Sequence, residues 1–191
     1  MEYKLSILIP TISSRTGVFK KTYDLLNRQI FDCNAFSQVE IVVDCDNRET
    51  PTGEKRNRLI EKAKGKYIVC FDDDDEPLEG YIKLILEAIE LNPDVIPLNG
   101  YMTTNGHNPV YWDMGLNFGY GTKQVNGVLV YDRFPNHIAV MKRELILPYR
   151  FLPIVVGEDY EWAKRINDDK VFKTEVRITE PIYHYKFIEN K

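Results

Sequence analysis

Apolar residues in the first 98 positions form short runs that alternate with stretches of helical period. The predicted elements are, in order, a strand at 5–9, a helix at 18–30, a strand at 39–43, a helix at 53–64, a strand at 67–71, a helix at 79–91 and a strand at 94–98. The third helix has the clearest period, with apolar residues at i, i+3, i+4 and i+7 from Ile82. Strands that alternate with helices indicate βαβ units, and largely apolar strands indicate a sheet covered on both faces. We therefore predict an α/β fold with a mostly parallel central sheet flanked by helices.

The second half of the chain has a different pattern. Residues 99–137 hold six glycines and many aromatic residues without a helical period, so we expect loops and hairpins there, with one strand at 128–130. The elements expected after this segment are a strand at 138–141, a helix at 158–166 and short strands at 176–178 and 182–184. Because neither a repeat nor a linker is visible, we predict a single domain over residues 1–191 with an irregular second half.

The composition is that of an ordinary globular protein. Of the 191 residues, 43% are apolar and 28% charged, which excludes disordered and low-complexity classes. With 25 basic and 29 acidic residues, the net charge of −4 disfavours broad binding to nucleic acid. Cys33, Cys45 and Cys70 have neither disulfide nor zinc spacing, which favours a reducing compartment.

Nothing in the sequence indicates export or membrane insertion. The apolar run that ends at Pro10 is shorter than the core of a signal peptide. No stretch approaches the roughly 18 apolar residues that span a bilayer. We therefore expect a cytoplasmic protein without a transmembrane segment.

The main chemical signal is a run of five carboxylates at 72–76, directly after the strand at 67–71. Adjacent carboxylates repel unless a cation lies among them, and all-oxygen ligands favour magnesium or manganese. Ligands of open α/β sheets bind beyond the carboxyl ends of the strands. This position favours a metal site over the alternative, a solvated acidic turn.

Three kinds of metal site compete for this run. An EF-hand loop needs glycine and glutamate where the chain has Pro77 and Lys83, so it does not fit. A phosphatase of the haloacid-dehalogenase type would use Asp72 and Asp74, but Glu76 stands where threonine or valine belongs. The third is a nucleotide-sugar site, in which a metal bridges the diphosphate.

The run is part of GKYIVCFDDDD at 65–75, which resembles the G-x-Y-I-x-x-x-D-x-D-D stretch of family 2 glycosyltransferases, enzymes of the GT-A fold. Further segments resemble the family's motifs in the same order: SILIPT at 6–11, IVVD at 41–44, GEKRN at 53–57 and GEDYE at 157–161. The resemblance implies a metal-dependent, inverting transferase that moves a sugar from a nucleotide-diphosphate donor, with UDP as carrier, to an acceptor hydroxyl. It implies that residues 1–98 bind the nucleotide and that residues 99–191 bind the acceptor and carry catalysis.

The resemblance also implies roles within the acidic run. Asp72 takes the position that binds the ribose, and Asp74 the position that binds Mn²⁺ or Mg²⁺. Asp75 is expected to assist at the metal through water. Asp73 stands at the variable position of the motif, where it is either near the nucleotide or simply exposed.

Other donor contacts follow from the earlier motifs. Asp44, which closes the second strand, is expected to contact the nucleobase, and Asp46 is close enough to make that contact instead. The backbone at Pro10 and Thr11 would flank the base. Arg56 would lie near the nucleotide, and the alternative is a surface salt bridge on its helix.

The family places its general base at the aspartate of the E-D pair, here Asp159 next to Glu158. The alternative is that both carboxylates only stabilise a helix N-terminus. A late histidine, His184, is a candidate further metal ligand, and a structural histidine is the alternative. His137 is interpreted as a structural histidine.

The acceptor is a glycan, a lipid-linked sugar or another hydroxyl compound. Trp112 and the tyrosines of 99–137 form either an acceptor platform or a small satellite core. A partner or the second subunit of a homodimer could complete the acceptor site. A processive polysaccharide synthase is disfavoured because no Q-x-x-R-W motif is present.

Two other functions stay open. A nucleotidyltransferase needs a glycine-rich phosphate loop after the first strand, and residues 10–17 contain one glycine. A non-catalytic module that binds a nucleotide sugar would not need the intact acidic run together with Glu158 and Asp159.

Overall fold

Two β-sheets and the helices packed on them make up the computed structural model, which describes residues 3–154 and 156–189. The strands are β1 (Tyr3–Ile12), β2 (Val39–Asp46), β3 (Gly65–Cys70), β4 (Glu76–Pro77), β5 (Val95–Ile96), β6 (Asn99–Thr104), β7 (His107–Met114), β8 (Gly121–Val125), β9 (Val128–Arg133), β10 (Val140–Lys142) and β11 (Pro181–Phe187). The helices are α1 (Thr16–Asp32), α2 (Thr52–Lys62), α3 (Tyr81–Ile89), α4 (Arg143–Ile146) and α5 (Glu158–Asp168).

The first sheet has the strand order β2-β1-β3-β10-β5. β1 pairs in parallel with both β2 and β3, whereas β10 is antiparallel to its neighbours β3 and β5. Residues 7–9 of β1 are all buried, because helices α1 and α3 pack against this strand and α2 packs against it and β2. The predicted α/β fold with a mostly parallel, helix-flanked sheet is therefore confirmed.

The second sheet, of order β4-β11-β6-β7-β9-β8, confirms the predicted hairpins and the strand at 128–130 and is more regular than expected. Four of its strands come from residues 99–137. β6 with β7 and β8 with β9 form antiparallel hairpins, and β11 joins the sheet in parallel with β6. The turns are Asn105-Gly106 and Asn126-Gly127, in which all four residues have positive φ, from 51° to 79°. Asn-Gly at two positive φ angles is the type I′ hairpin turn, so these turns fix the hairpin registers.

Gly100 in β6 brings the second sheet against an aromatic ring. A Cβ atom on this residue would lie 2.1 Å from the carbonyl oxygen of Tyr183 and 2.6 Å from the ring of Trp112. Only a glycine leaves room for that ring to lie over the strand. Trp112 is consequently 7% exposed and lies edge-on to Tyr183 at 5.8 Å.

The predicted strand at 176–178 is wrong. Val95 and Glu175 form an isolated bridge, and the amides of Val176 and Ile178 donate to carbonyls of residues 95 and 97 at 3.2 Å. The segment lies beside β5, but β5 is only two residues long, so a regular strand does not form there.

Candidate active site

Two clefts open beyond the carboxyl ends of β1 and β3. The nucleotide-side cleft, of about 720 Å³, is lined by residues that include Pro10, Thr11, Lys55 and residues 72–74. The second cleft, of about 590 Å³, is lined by residues from α5 and by the second sheet. The two clefts share three lining residues: Arg56, Asp72 and Glu158. Arg56 is 16 positions from Asp72 and 102 positions from Glu158 in the sequence, and the fold brings the three side chains together.

Arg56 of α2 is the centre of this junction. Its guanidinium donates to Asp72 at 2.9 Å and to Glu158 at 2.8 Å, and it lies 5.5 Å from the ring centre of Phe151. At 3% exposure it is buried, so the alternative of a surface salt bridge does not apply. Burial raises the pKa of Asp72, but the contacts with Arg56 and His137 together outweigh burial and hold that pKa well below its usual range. Asp72 is therefore a permanent anion between the clefts.

The next two aspartates are bound by residues of the first strand and the turn after it. Asp73 accepts a hydrogen bond from the Thr11 hydroxyl at 2.6 Å and pairs with Arg15 at 2.9 Å. Asp74 pairs with the other terminal nitrogen of Arg15 at 2.7 Å. Asp73 is 2% exposed, so the expectation of an exposed side chain at the variable position is wrong. Arg15 compensates the repulsion between the two carboxylates.

Asp75 points away from the nucleotide-side cleft and lines the second cleft. Its carboxylate accepts hydrogen bonds from the Tyr183 hydroxyl at 2.7 Å and from the Lys186 amide at 2.8 Å. Burial, together with the charge of Asp72, raises the pKa of Asp75 to about 7. Asp75 therefore lines the second cleft, whereas Asp74 lines the nucleotide-side cleft.

His184 lies elsewhere. Its ring is 2.8 Å from the Thr103 hydroxyl and is stacked on Tyr101 at 4.4 Å, and burial lowers its pKa. It lines neither of the two clefts. Within residues 3–154 and 156–189, no three His, Cys, Asp or Glu side chains form a cluster that could hold a metal ion. The structure does not bring His184 together with Asp74.

The end of β2 carries two ion pairs. Asp44 is bound by Arg58 through bonds of 2.8 and 3.1 Å and does not line the nucleotide-side cleft. Asp46 pairs with Lys55, which also donates to the carbonyl oxygen of Thr11 at 2.6 Å. The Lys55 ammonium lowers the pKa of Asp46 to about 2. Asp46 therefore does not line the cleft itself but holds Lys55, which does.

Helix α5 presents the E-D pair. It follows Gly157, whose φ of +78° is a conformation that favours glycine, and both carboxylates lie in its first turn. The side chain of Asp159 is 37% exposed and lines the second cleft. Its Oδ2 lies 3.5 Å from Nδ1 of His137, while Nε2 of His137 lies 3.5 Å from Oδ2 of Asp72. The sequence interpretation of His137 missed this placement between two site carboxylates.

The wall of the second cleft is aromatic, from Trp112, Tyr120, Tyr131 and Tyr185. Trp112 is buried and also lines this cleft, so its packing role is confirmed and the acceptor platform stays a prediction. Trp162 is 1% exposed and stacks on Phe151 at 4.5 Å, which is a packing role.

The fold is similar to that of solved Staphylococcus aureus TarS structures. A structure of TarS 1-349 in complex with UDP has a TM-score of 0.68 at 16% identity and matches 96% of this chain and 60% of that one. A structure of TarS 1-349 in complex with UDP-GlcNAc has a TM-score of 0.65 at 14% identity, with 98% and 60% covered. The chain thus spans about 60% of these TarS fragments. No curated protein sequence matches the chain.

In the part of the chain that the structure describes, no helix has the length and apolar character needed to cross a bilayer.

The family described as "Glycosyl transferase family 2" matches residues 38–147, more than half of the 191 residues. This match includes α2 and the acidic run. The chain belongs to glycosyl transferase family 2.

Proposed function

We propose that the chain transfers a sugar from a UDP-sugar to an acceptor hydroxyl with inversion at the anomeric carbon. The observation that carries this proposal is the meeting of two clefts at Asp72, Arg56 and Glu158, with Asp159 in the second cleft alone. A donor in one cleft and an acceptor in the other would meet at this junction. The UDP and UDP-GlcNAc complexes of the similarly folded TarS support UDP as the carrier.

In this proposal the nucleotide lies in the nucleotide-side cleft. Pro10 and Thr11 flank the base, and Lys55, held by Asp46, supplies positive charge at the same wall. Asp72 binds the ribose, and Arg56 keeps it ionised and oriented. Asp44 does not line this cleft and is held by Arg58, so the proposal assigns it no contact with the base.

Asp74 would hold a Mn²⁺ or Mg²⁺ ion, since it lines this cleft and its carboxylate would then be shared between the ion and Arg15. When bound, the ion neutralises the charge that develops on the diphosphate leaving group. Neither Asp75 nor His184 lines this cleft, so the proposal assigns them no ligand role.

Asp159 is the proposed general base. Its exposed carboxylate would accept the proton of the acceptor hydroxyl while that oxygen attacks the anomeric carbon from the face opposite the diphosphate. A single displacement of this kind inverts the anomeric centre. His137, in contact with Asp159 on one side and Asp72 on the other, is a positioning residue that holds the base relative to the donor.

The test is the substitution Asp159→Asn, with Asp168→Asn at the other end of α5 as the matched control. The readout is UDP release from a panel of UDP-sugars, beginning with UDP-GlcNAc, with water as the acceptor. We expect Asp159→Asn to lower turnover by at least about 10²-fold, because general-base assistance contributes that much, while UDP still binds. The control should retain turnover. Full turnover by Asp159→Asn, or no turnover by the unsubstituted protein with any donor, would contradict the proposal.

A further inference from the structure

Arg133, the last residue of β9, lines the second cleft. Side chains two residues apart on a strand share a face, and Tyr131 lines the same cleft. Arg133 does not line the nucleotide-side cleft, so it is remote from the place proposed for the diphosphate.

The guanidinium of Arg133 is held from two sides. Its central carbon lies 4.7 Å from the ring centre of Tyr120 and 5.0 Å from that of Tyr131. Its Nη1 donates to the carbonyl oxygens of Asp132 at 2.7 Å and Gly121 at 3.4 Å. Stacking and one anchored nitrogen fix the plane of the group without using its whole hydrogen-bonding fork.

Among the residues that the structure describes, the charge of Arg133 has no acidic partner. Arg15, Lys55 and Arg56, which line the clefts as well, are each paired with carboxylates. For Arg133, no carboxylate of residues 3–154 and 156–189 lies within salt-bridge distance, and both of its hydrogen bonds go to backbone carbonyls. A half-buried cation without a counter-ion attracts an anionic ligand, and the guanidinium fork matches a carboxylate or a phosphate.

We infer that the acceptor of this enzyme carries an anionic group, a phosphate or a carboxylate, which Arg133 binds. The inference rests on the proposed function, because it takes the second cleft as the acceptor site. The aromatic wall would contact the acceptor's sugar or other ring, and the charge on Arg133 would set the position of the hydroxyl relative to Asp159. Neutral acceptors of the same size would lack that anchor.

The test compares three probes in ligand-observed NMR titrations with saturating UDP: glucose, glucose 6-phosphate and glucuronate. We expect at least one charged sugar to bind about tenfold or more tightly than glucose, as charge-assisted hydrogen bonds do. Arg133→Gln should abolish this preference, and Arg133→Lys, which keeps the charge but loses the fork, should retain part of it. Arg28→Gln, an exposed change of equal charge on α1, should leave it intact. The stronger of the two charged sugars identifies phosphate or carboxylate as the anion.

Equal binding of charged and neutral sugars, no binding of any sugar, or an unchanged preference in Arg133→Gln would overturn the inference. UDP binding, measured in the same samples, reports on the proposed function separately. If UDP binds and no anion preference is found, only the acceptor inference fails. If UDP does not bind the unsubstituted protein, both the proposed function and the acceptor inference fail.

Discussion

His137 lies 3.5 Å from the carboxylate of Asp159 through Nδ1 and is 8% exposed. Through Nε2 it lies at the same distance from Asp72, which Arg56 links to Glu158. Since Glu158 and Asp159 are adjacent, these contacts close a ring of polar side chains around the junction of the two clefts. A base held in such a ring keeps one orientation relative to the donor, which favours catalysis over a freely rotating carboxylate.

The ring predicts a rate defect for His137→Gln. Turnover of the UDP-sugar should fall by about 10²-fold, since a small misplacement of a catalytic group has effects of that size. The dissociation constant of UDP should change much less. His184→Gln is the matched control, because His184 lines neither cleft. Equal defects in the two variants would indicate a general loss of structure instead of a positioning role.

Arg56→Met should destabilise the fold. The substitution leaves the carboxylates of Asp72 and Glu158 without their buried partner, which costs about 3–5 kcal/mol. Urea unfolding monitored by tryptophan fluorescence measures the difference. Arg58→Met, which breaks the more exposed pair with Asp44, should cost clearly less. Similar losses in both variants would contradict the central role of Arg56.

The ion pair at the end of β2 predicts a pH dependence. The pKa of Asp46 is lowered to about 2, so its pairing with Lys55 stabilises the fold above pH 4 and is lost as the pH falls towards 2. Asp46→Asn should therefore be less stable than the unsubstituted protein at pH 6, and the difference should shrink between pH 4 and pH 3. Denaturant midpoints at the three pH values measure it. A difference that does not change with pH would exclude this linkage.

Gly100 predicts a steric defect. In Gly100→Ala the new methyl group would meet the Tyr183 carbonyl and the Trp112 ring, so we expect a loss of about 1–3 kcal/mol or more, as in other overpacked sites. Gly119→Ala is the control, because a Cβ there meets nothing within 4 Å. Thermal unfolding of the two variants tests this. A fully stable Gly100→Ala would mean that β6 can move away from β11.

The sequence predicted the first sheet because its strands and helices have clear local periods. It predicted hairpins and two short strands of the second sheet but not its full extent, because β8 and β9 have exposed or half-exposed side chains and so lack a buried, alternating face. The local feature that predicts its two hairpins is the Asn-Gly pair at each turn. The strand pairings of β11 with β6 and β4 depend on long-range contacts that no local pattern encodes.

The site was predictable to the extent that motifs lie at strand and helix ends. Asp72, Arg56 and Glu158 come from three such motifs, and the structure brings them into contact. Arg15 and His137 were missed, because their roles arise from folding distant segments onto the acidic run. The direction of Asp75 was missed as well, since consecutive carboxylates at the end of a strand turn to different sides.

The most direct test of the central claim is the binding of nucleotides measured by isothermal titration calorimetry. UDP, GDP, CDP and ADP would each be titrated into the unsubstituted protein, once with Mn²⁺ and once with a chelator. We expect UDP to bind most tightly and the chelator to weaken its binding. If none of the four nucleotides binds, the assignment of the nucleotide-side cleft as a donor site is contradicted.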